Sequence, residues 1–215
     1  MLIIVITIRE QPVVHALPNL VESEVHANGE TFIPLSQIPQ LLQQAVIDTE
    51  DRSFYKNPGI SFEGTGRSLI IDLLNGKYSE GGSTITQQLA RKFFFTNQKT
   101  ISRKLKEMIL AVIITNDFSK QDILAMYLNS VYFGHGASGI KAAARIFFNK
   151  PVADLNIAQC TLLAGLPQAP TYLDPLNNYQ AARFRQSEVL QSMVDAGHIY
   201  KRKVSEIQIM PLGLR

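Results

Sequence analysis

The chain has 215 residues, 46% of them hydrophobic and 18% charged, enough apolar content to bury a sizeable core and to exclude a disordered chain. Lys plus Arg number 21 and Asp plus Glu 18, a net charge of +3. So small an excess suits an anionic membrane surface or phosphate groups without demanding either, and lacks the concentrated positive charge of a nucleic-acid binder.

The chain opens on Met1 to Ile8, a run of eight largely apolar residues, followed by Arg9 and Glu10. A membrane span needs about 20 apolar residues, so this run reads as the stump of an anchor or as a strand. Up to about Thr31 the pattern is mixed, with strand-like pieces and turn signals at Pro12, Pro18 and Asn28-Gly29. From Ser36 it turns helical. Ile38, Leu42, Ala45, Val46 and Thr49 share one face, with Pro39 tolerated in the first turn. Glu50 falls at the rim of that face, where a carboxylate is a candidate general base; otherwise it is a helix-terminal acid in water. Asp51, Phe54 and Gly59 follow. Phe62 to Leu74 mixes large apolar residues with Gly64 and Gly66, and by periodicity reads as a core helix.

The most informative stretch is Gly81-Gly82-Ser83-Thr84-Ile85-Thr86-Gln87-Gln88. It joins a Gly-Gly hinge to three hydroxyls and two amides and runs into the apolar Leu89-Ala90. Thr84 with Gln87 three residues later is a capping box. A helix start of this kind offers free N–H groups and a positive dipole end to an anion such as a phosphate. Helices are then expected at 84–95, 102–114, 119–129, 139–148, 155–166 and 179–196. Arg103 and Glu107 stand four apart, which by default is a solvated pair worth tenths of a kcal/mol. Ser119 with Asp122 is a variant capping box, and Asp195-Ala196-Gly197 is a helix end. Cys160, the only cysteine, lies in an apolar run and reads as a buried small hydrophobe, which excludes an intrachain disulfide or thiolate metal site. His15, His26, His135 and His198 lack ligand spacing and read as structural or exposed.

In this order the pieces resemble the peptidoglycan glycosyltransferase domain of class A penicillin-binding proteins and monofunctional transglycosylases. The likeness rests on Glu50, Asp51, Phe54 and Gly59, the whole of Gly81 to Gln88, and Arg103, Lys104 and Glu107. It continues through Ile123-Leu124, Tyr127-Leu128-Asn129, Tyr132-Phe133-Gly134, Gly139, Ala142-Ala143 and Leu162 to Leu166, and covers roughly Pro34 to the end. The chain departs from the family pattern at Asn57, where His is usual, at Asn116 and Ala125, where Glu is usual, and at Arg91 and Phe147, where Lys and Tyr are usual.

The resemblance implies an all-α, lysozyme-like, two-lobed fold after a short irregular or strand-like N-terminal segment. Residues 1–33 would be that segment, an anchor remnant and linker, and 34–215 the glycosyltransferase domain. No transpeptidase domain is expected, since Ser53 to Lys56 and Ser138 to Lys141 are coincidental Ser-x-x-Lys matches inside the glycosyltransferase motifs. The stretch from Phe62 to Leu74 would be a mobile segment dipping into the membrane. The implied reaction polymerises lipid II at the extracytoplasmic face of the bacterial cytoplasmic membrane, with the membrane surface and other cell-wall synthesis proteins as partners and no nucleic acid. Glu50 would be the base. Glu107 would position the donor diphosphate, directly or through a divalent cation, Mg2+ or Mn2+; no organic cofactor is implied. Arg91, Lys99, Arg103 and Lys104 would lie near the diphosphates, Ser83, Thr84, Gln87 and Gln88 would hydrogen-bond sugar or phosphate, Asp51 would orient motif partners, and Phe54 would pack. Two rivals stand beside this: a degenerate paralogue that binds precursor without catalysis, and a lytic muramidase of related fold.

Overall fold

A computed structural model describes residues 13–61, 82–96 and 100–215. The expectations placed on Met1 to Ile8, on Phe62 to Leu74, on Gly81 and on Lys99 lie outside these residues. The described chain is helical, and its only β pairing is the isolated bridge between Tyr132 and Ser138. Its α-helices are α1 (Leu17–Ala27), α2 (Gln40–Glu50), α3 (Ile85–Phe94), α4 (Ile101–Asp117) and α5 (Lys120–Ser130), then α6 (Ile140–Phe148), α7 (Ile157–Gly165), α8 (Tyr179–Asp195) and α9 (Lys201–Ile209).

α1 corrects the strand-like reading of the N-terminal region. Leu17, Val21 and Val25 recur every four residues and are buried, so the apolar period is that of a helix. Pro18 sits in the first turn, where its missing N–H costs nothing. The helical onset expected at Ser36 also shifts. Leu35–Gln37 is a 3-10 turn and Pro39 is the N-cap of α2 rather than part of its first turn. The Gln43 amide bridges the two pieces by donating to the carbonyls of Leu35 and Ile38. Likewise α7 starts at Ile157, not Leu155. Asn156 caps it in a reciprocal box with Gln159, after a 3-10 turn at Val152–Asp154. α9 was not expected.

The fold divides into two compact units: residues 1–21 with 53–127, and residues 22–52 with 128–215. In the first, α3 packs along α4. In the second, α2, α7 and α8 pack on one another and α9 adds to α7 and α8. The core of the second unit comprises Leu42, Ala45 and Val46 of α2, Leu162 and Leu163 of α7, and Val189, Leu190 and Met193 of α8, all buried. The burial of whole aliphatic side chains at about 25 cal/mol per Å² is what holds such a helix cluster together. Gln186 is buried among them and donates to the Ala158 carbonyl and the Thr161 hydroxyl, so α8 is keyed to α7 by direction as well as by packing.

Candidate active site

In the first unit the site is built on the start of α3 and the first turns of α4. Thr84 is the N-cap of α3. Its hydroxyl accepts from the Gln87 N–H at 3.1 Å, and Gln87 Oε1 accepts from the Thr84 N–H at 3.0 Å, so the capping box forms as expected. The Thr84 hydroxyl also donates to the Gly59 carbonyl at 2.6 Å. Thr84 therefore commits its hydroxyl inside the protein as donor and as acceptor, and Gln87 is fully buried with its carbonyl in the cap. Sequence expected both to bond substrate; within the protein these groups shape the turn.

Thr100 caps α4 by accepting from the Arg103 N–H, which opens the helix one residue before Ser102. Three residues of the next two turns then face inward. Glu107 is fully buried, Lys104 is 5% exposed and Arg103 7%. Lys104 Nζ lies 3.0 Å from Glu107 Oε1 and donates to the Ser83 hydroxyl at 2.6 Å. Arg103 Nη1 lies 3.4 Å from Glu107 Oε2. This overturns the default of a solvated pair. Two cations meet one carboxylate at the foot of the Ser83–Thr84 turn, in a low-dielectric surrounding. Such a cluster can hold an additional anion, because burial strengthens its field while the helix start of α3 adds a positive dipole end. Further along, Gln88 accepts from the Tyr127 hydroxyl at 3.1 Å, and Arg91 lies in the last turn of α3. Phe54 is fully buried, edge-on to Tyr55, and packs as expected.

The second unit carries the other carboxylate. Glu50 ends α2 with 12% of its side chain exposed, and Asp51 is the buried C-cap residue. Arg185 Nη2 approaches Glu50 Oε1 at 3.6 Å, itself only 13% exposed. Its guanidinium is held from elsewhere too. Nε donates to the Gly165 carbonyl at 3.3 Å and Nη1 to Glu188 at 3.0 Å. Two residues earlier on α2, Asp48 is buried and bonded to Gln44 at 2.8 Å and to His198 Nδ1 at 2.8 Å. So the last turn of α2 is held by an arginine and a histidine from distant sequence. Sequence reasoning missed Arg185. The signal was there: on a helix whose buried stripe runs through Ala182, Gln186, Val189 and Met193, a cation three residues from Ala182 sits on the apolar side. His198, read as structural or exposed, is both, with 43% of its side chain exposed.

Among the described residues no group of three or more His, Cys, Asp or Glu side chains could hold a metal ion. Glu107 already meets Lys104 and Arg103, so it is not a ready ligand for a divalent cation. No described helix is long and apolar enough to cross a membrane.

A sequence profile described as transglycosylase matches residues 18–194. Penicillin-binding protein 1F of Bacillus subtilis (strain 168) is 38% identical over 208 residues, covering 94% of this chain and 29% of its own length. Penicillin-binding protein 1A of Haemophilus influenzae is 41% identical over 180 residues, covering 84% of this chain and 21% of its own. A crystal structure of penicillin-binding protein 1A from Haemophilus influenzae superposes with a TM-score of 0.51 at 20% identity, over 86% of this chain and 18% of that one. That superposition carries the fold alone, and bears out the all-α, lysozyme-like expectation. The chain spans less than a third of the length of each of these relatives.

Proposed function

The chain belongs to the transglycosylase family of peptidoglycan glycosyltransferases, and from that membership we propose that it polymerises lipid II into β-1,4-linked glycan strands. One observation in its own structure carries the proposal: a fully buried Glu107 faced by Lys104 and Arg103, beside the capped turn at Ser83 and Thr84. A cleaving enzyme has no use for paired buried cations beside a helix start that suits an anion. An enzyme whose leaving group is a polyprenyl diphosphate does.

In this reading the donor is a growing lipid-linked strand and the acceptor is the 4-hydroxyl of the GlcNAc of another lipid II. Glu50 accepts the proton of that hydroxyl as the oxygen attacks the donor anomeric carbon. The bond from that carbon to the diphosphate breaks in the same displacement, inverting α to β. The negative charge left on the diphosphate is stabilised by Lys104 and Arg103, with Arg91 and Lys99 as further cations, while Ser83 and Gln88 bond sugar or phosphate. Arg185 fixes the direction of the Glu50 carboxylate, with Nη2 3.6 Å from Oε1. Glu107 sets the positions of Lys104 and Arg103.

Residues 34–215 are taken as the catalytic domain and 1–33 as the segment leading into it, working at the extracytoplasmic face of the cytoplasmic membrane. The test is incubation with fluorescent lipid II in detergent, with Glu50→Gln alongside and products separated on a gel. A ladder from the parent, no ladder from Glu50→Gln, and lipid II still bound by the variant are expected. A parent that binds lipid II and makes no polymer would sink the catalytic reading in favour of a precursor-binding module.

A further inference from the structure

We infer that Lys120 and Asn57 are positioning residues that hold the Ser83–Gln88 turn in place through the backbone of Gly59, an inference that rests on the proposed glycosyltransferase reading. Each is linked to the turn by hydrogen bonds that can be followed atom by atom. Lys120, at the start of α5, places Nζ 3.1 Å from Asn57 Oδ1 and 4.8 Å from the centre of the Phe54 ring. The same Oδ1 accepts from the Gly59 N–H at 3.0 Å, while Asn57 Nδ2 donates to the Ser53 hydroxyl at 3.1 Å. Two donors converging on one oxygen fix which way the amide points. The Gly59 carbonyl then accepts the Thr84 hydroxyl at 2.6 Å. The path from a lysine ammonium to the N-cap of α3 thus runs through one side-chain amide and one glycine residue.

Gly59 cannot adjust. Its φ is +96°, and a Cβ there would sit 2.3 Å from the Ala111 carbonyl oxygen and 2.7 Å from Thr115 Oγ1. A residue wedged against α4 in a conformation reserved for glycine transmits a shift at its N–H to its carbonyl. A histidine at 57 would differ from asparagine at the point that matters. A carbonyl oxygen has two lone pairs, so Asn57 can serve the Gly59 N–H and the Lys120 ammonium together. A neutral imidazole nitrogen has one, and an imidazolium has none. With Lys120 in place, a histidine at 57 would leave one of the two donors without its acceptor. Asparagine is therefore not a degraded position here; it is matched to Lys120.

The test compares polymerisation of lipid II by the parent, Lys120→Met, Asn57→Leu, Asn57→His, Asn57→Asp and the double variant Lys120→Met/Asn57→Leu. Asp keeps the oxygen that both donors need. Each of Lys120→Met, Asn57→Leu and Asn57→His is expected to lower kcat on the order of tenfold with little change in KM, since misplaced groups lose transition-state contacts first. Asn57→Asp is expected to recover most of that loss, and the double variant to be no worse than the poorer single. Amide hydrogen exchange at Gly59 and Gln87 should quicken in Lys120→Met while amides of α7 keep the parent's rates. An Asn57→His variant as active as the parent, or a double variant whose losses multiply, would overturn the inference. If the parent itself makes no polymer, the functional reading falls and the exchange at Gly59 and Gln87 alone decides the positioning claim: unchanged rates overturn it.

Discussion

At the scale of single residues, the buried cluster on α4 sets the sharpest expectations. Glu107 is fully buried and holds two cations. Removing one partner of a buried pair leaves an uncompensated charge, at a cost of about 3–5 kcal/mol. Lys104→Met leaves Glu107 facing Arg103 alone, and should lower the urea midpoint of the apo protein as well as abolish polymerisation. Glu107→Gln should do the same to stability, but added inorganic pyrophosphate should recover part of its melting temperature by supplying the missing negative charge; no recovery would count against an anion site here. Cys160 gives a cleaner pH expectation. Burial pushes its thiol from the ordinary 9.0 up to about 12. The native state then keeps a proton that the unfolded chain gives up, so the stability this contributes is complete below pH 9 and is lost as pH rises towards 12. Between pH 8 and 10.5 the parent should lose more stability in urea than Cys160→Ala, and a disulfide reagent at pH 8 should label Cys160 only after denaturation.

At the scale of elements, what sequence could show was what is local. The Thr84 and Gln87 box, the Ser119 cap and the turn at Gly197 were legible because a cap and its partner lie within four residues. Even so, Asp122 bonds the Ser119 hydroxyl rather than the backbone N–H that a full box would use. α1 was misread because Pro18, Val21 and Val25 count against a helix one by one, while their spacing, read as a set, favours it. The burial of Arg103, Lys104 and Glu107 was not legible at all. Charged residues three and four apart look alike in water or in a core, and only the placement of Ser83 against α4 tells them apart. α7 and α8 illustrate a further dependence between elements. A Cβ at Gly165 would lie 2.8 Å from Arg185 Cγ and 3.2 Å from Val189 Cγ2. The bare backbone there is what lets the arginine stem pass towards Glu50. Gly165→Ala should displace Arg185 and lower kcat about tenfold, at a cost in stability of about 1–3 kcal/mol from overpacking. A variant with full activity would mean that Arg185 does not set the direction of Glu50.

At the scale of the whole molecule, the second unit is assembled from residues 22–52 and 128–215, which the chain reaches at two separate times. Asn129 joins those pieces. Its Oδ1 accepts from the Ile33 N–H at 2.8 Å and its Nδ2 donates to the Ile33 carbonyl at 2.8 Å, so one side chain pairs a peptide as a neighbouring strand would. The two residues are 96 apart in sequence, so the clasp closes a long loop, and contacts of that span form late. Asn129→Leu should accordingly speed unfolding while leaving the folding rate nearly unchanged, a φ-value close to zero by stopped-flow kinetics. During synthesis, at about 5–20 residues per second, α2 emerges with Glu50 many seconds before α7 and α8 exist to cover it. The base of the proposed reaction thus waits, its apolar face open, on helices made long after it, and the nascent protein should bind a holdase chaperone until α7 and α8 have packed on α2.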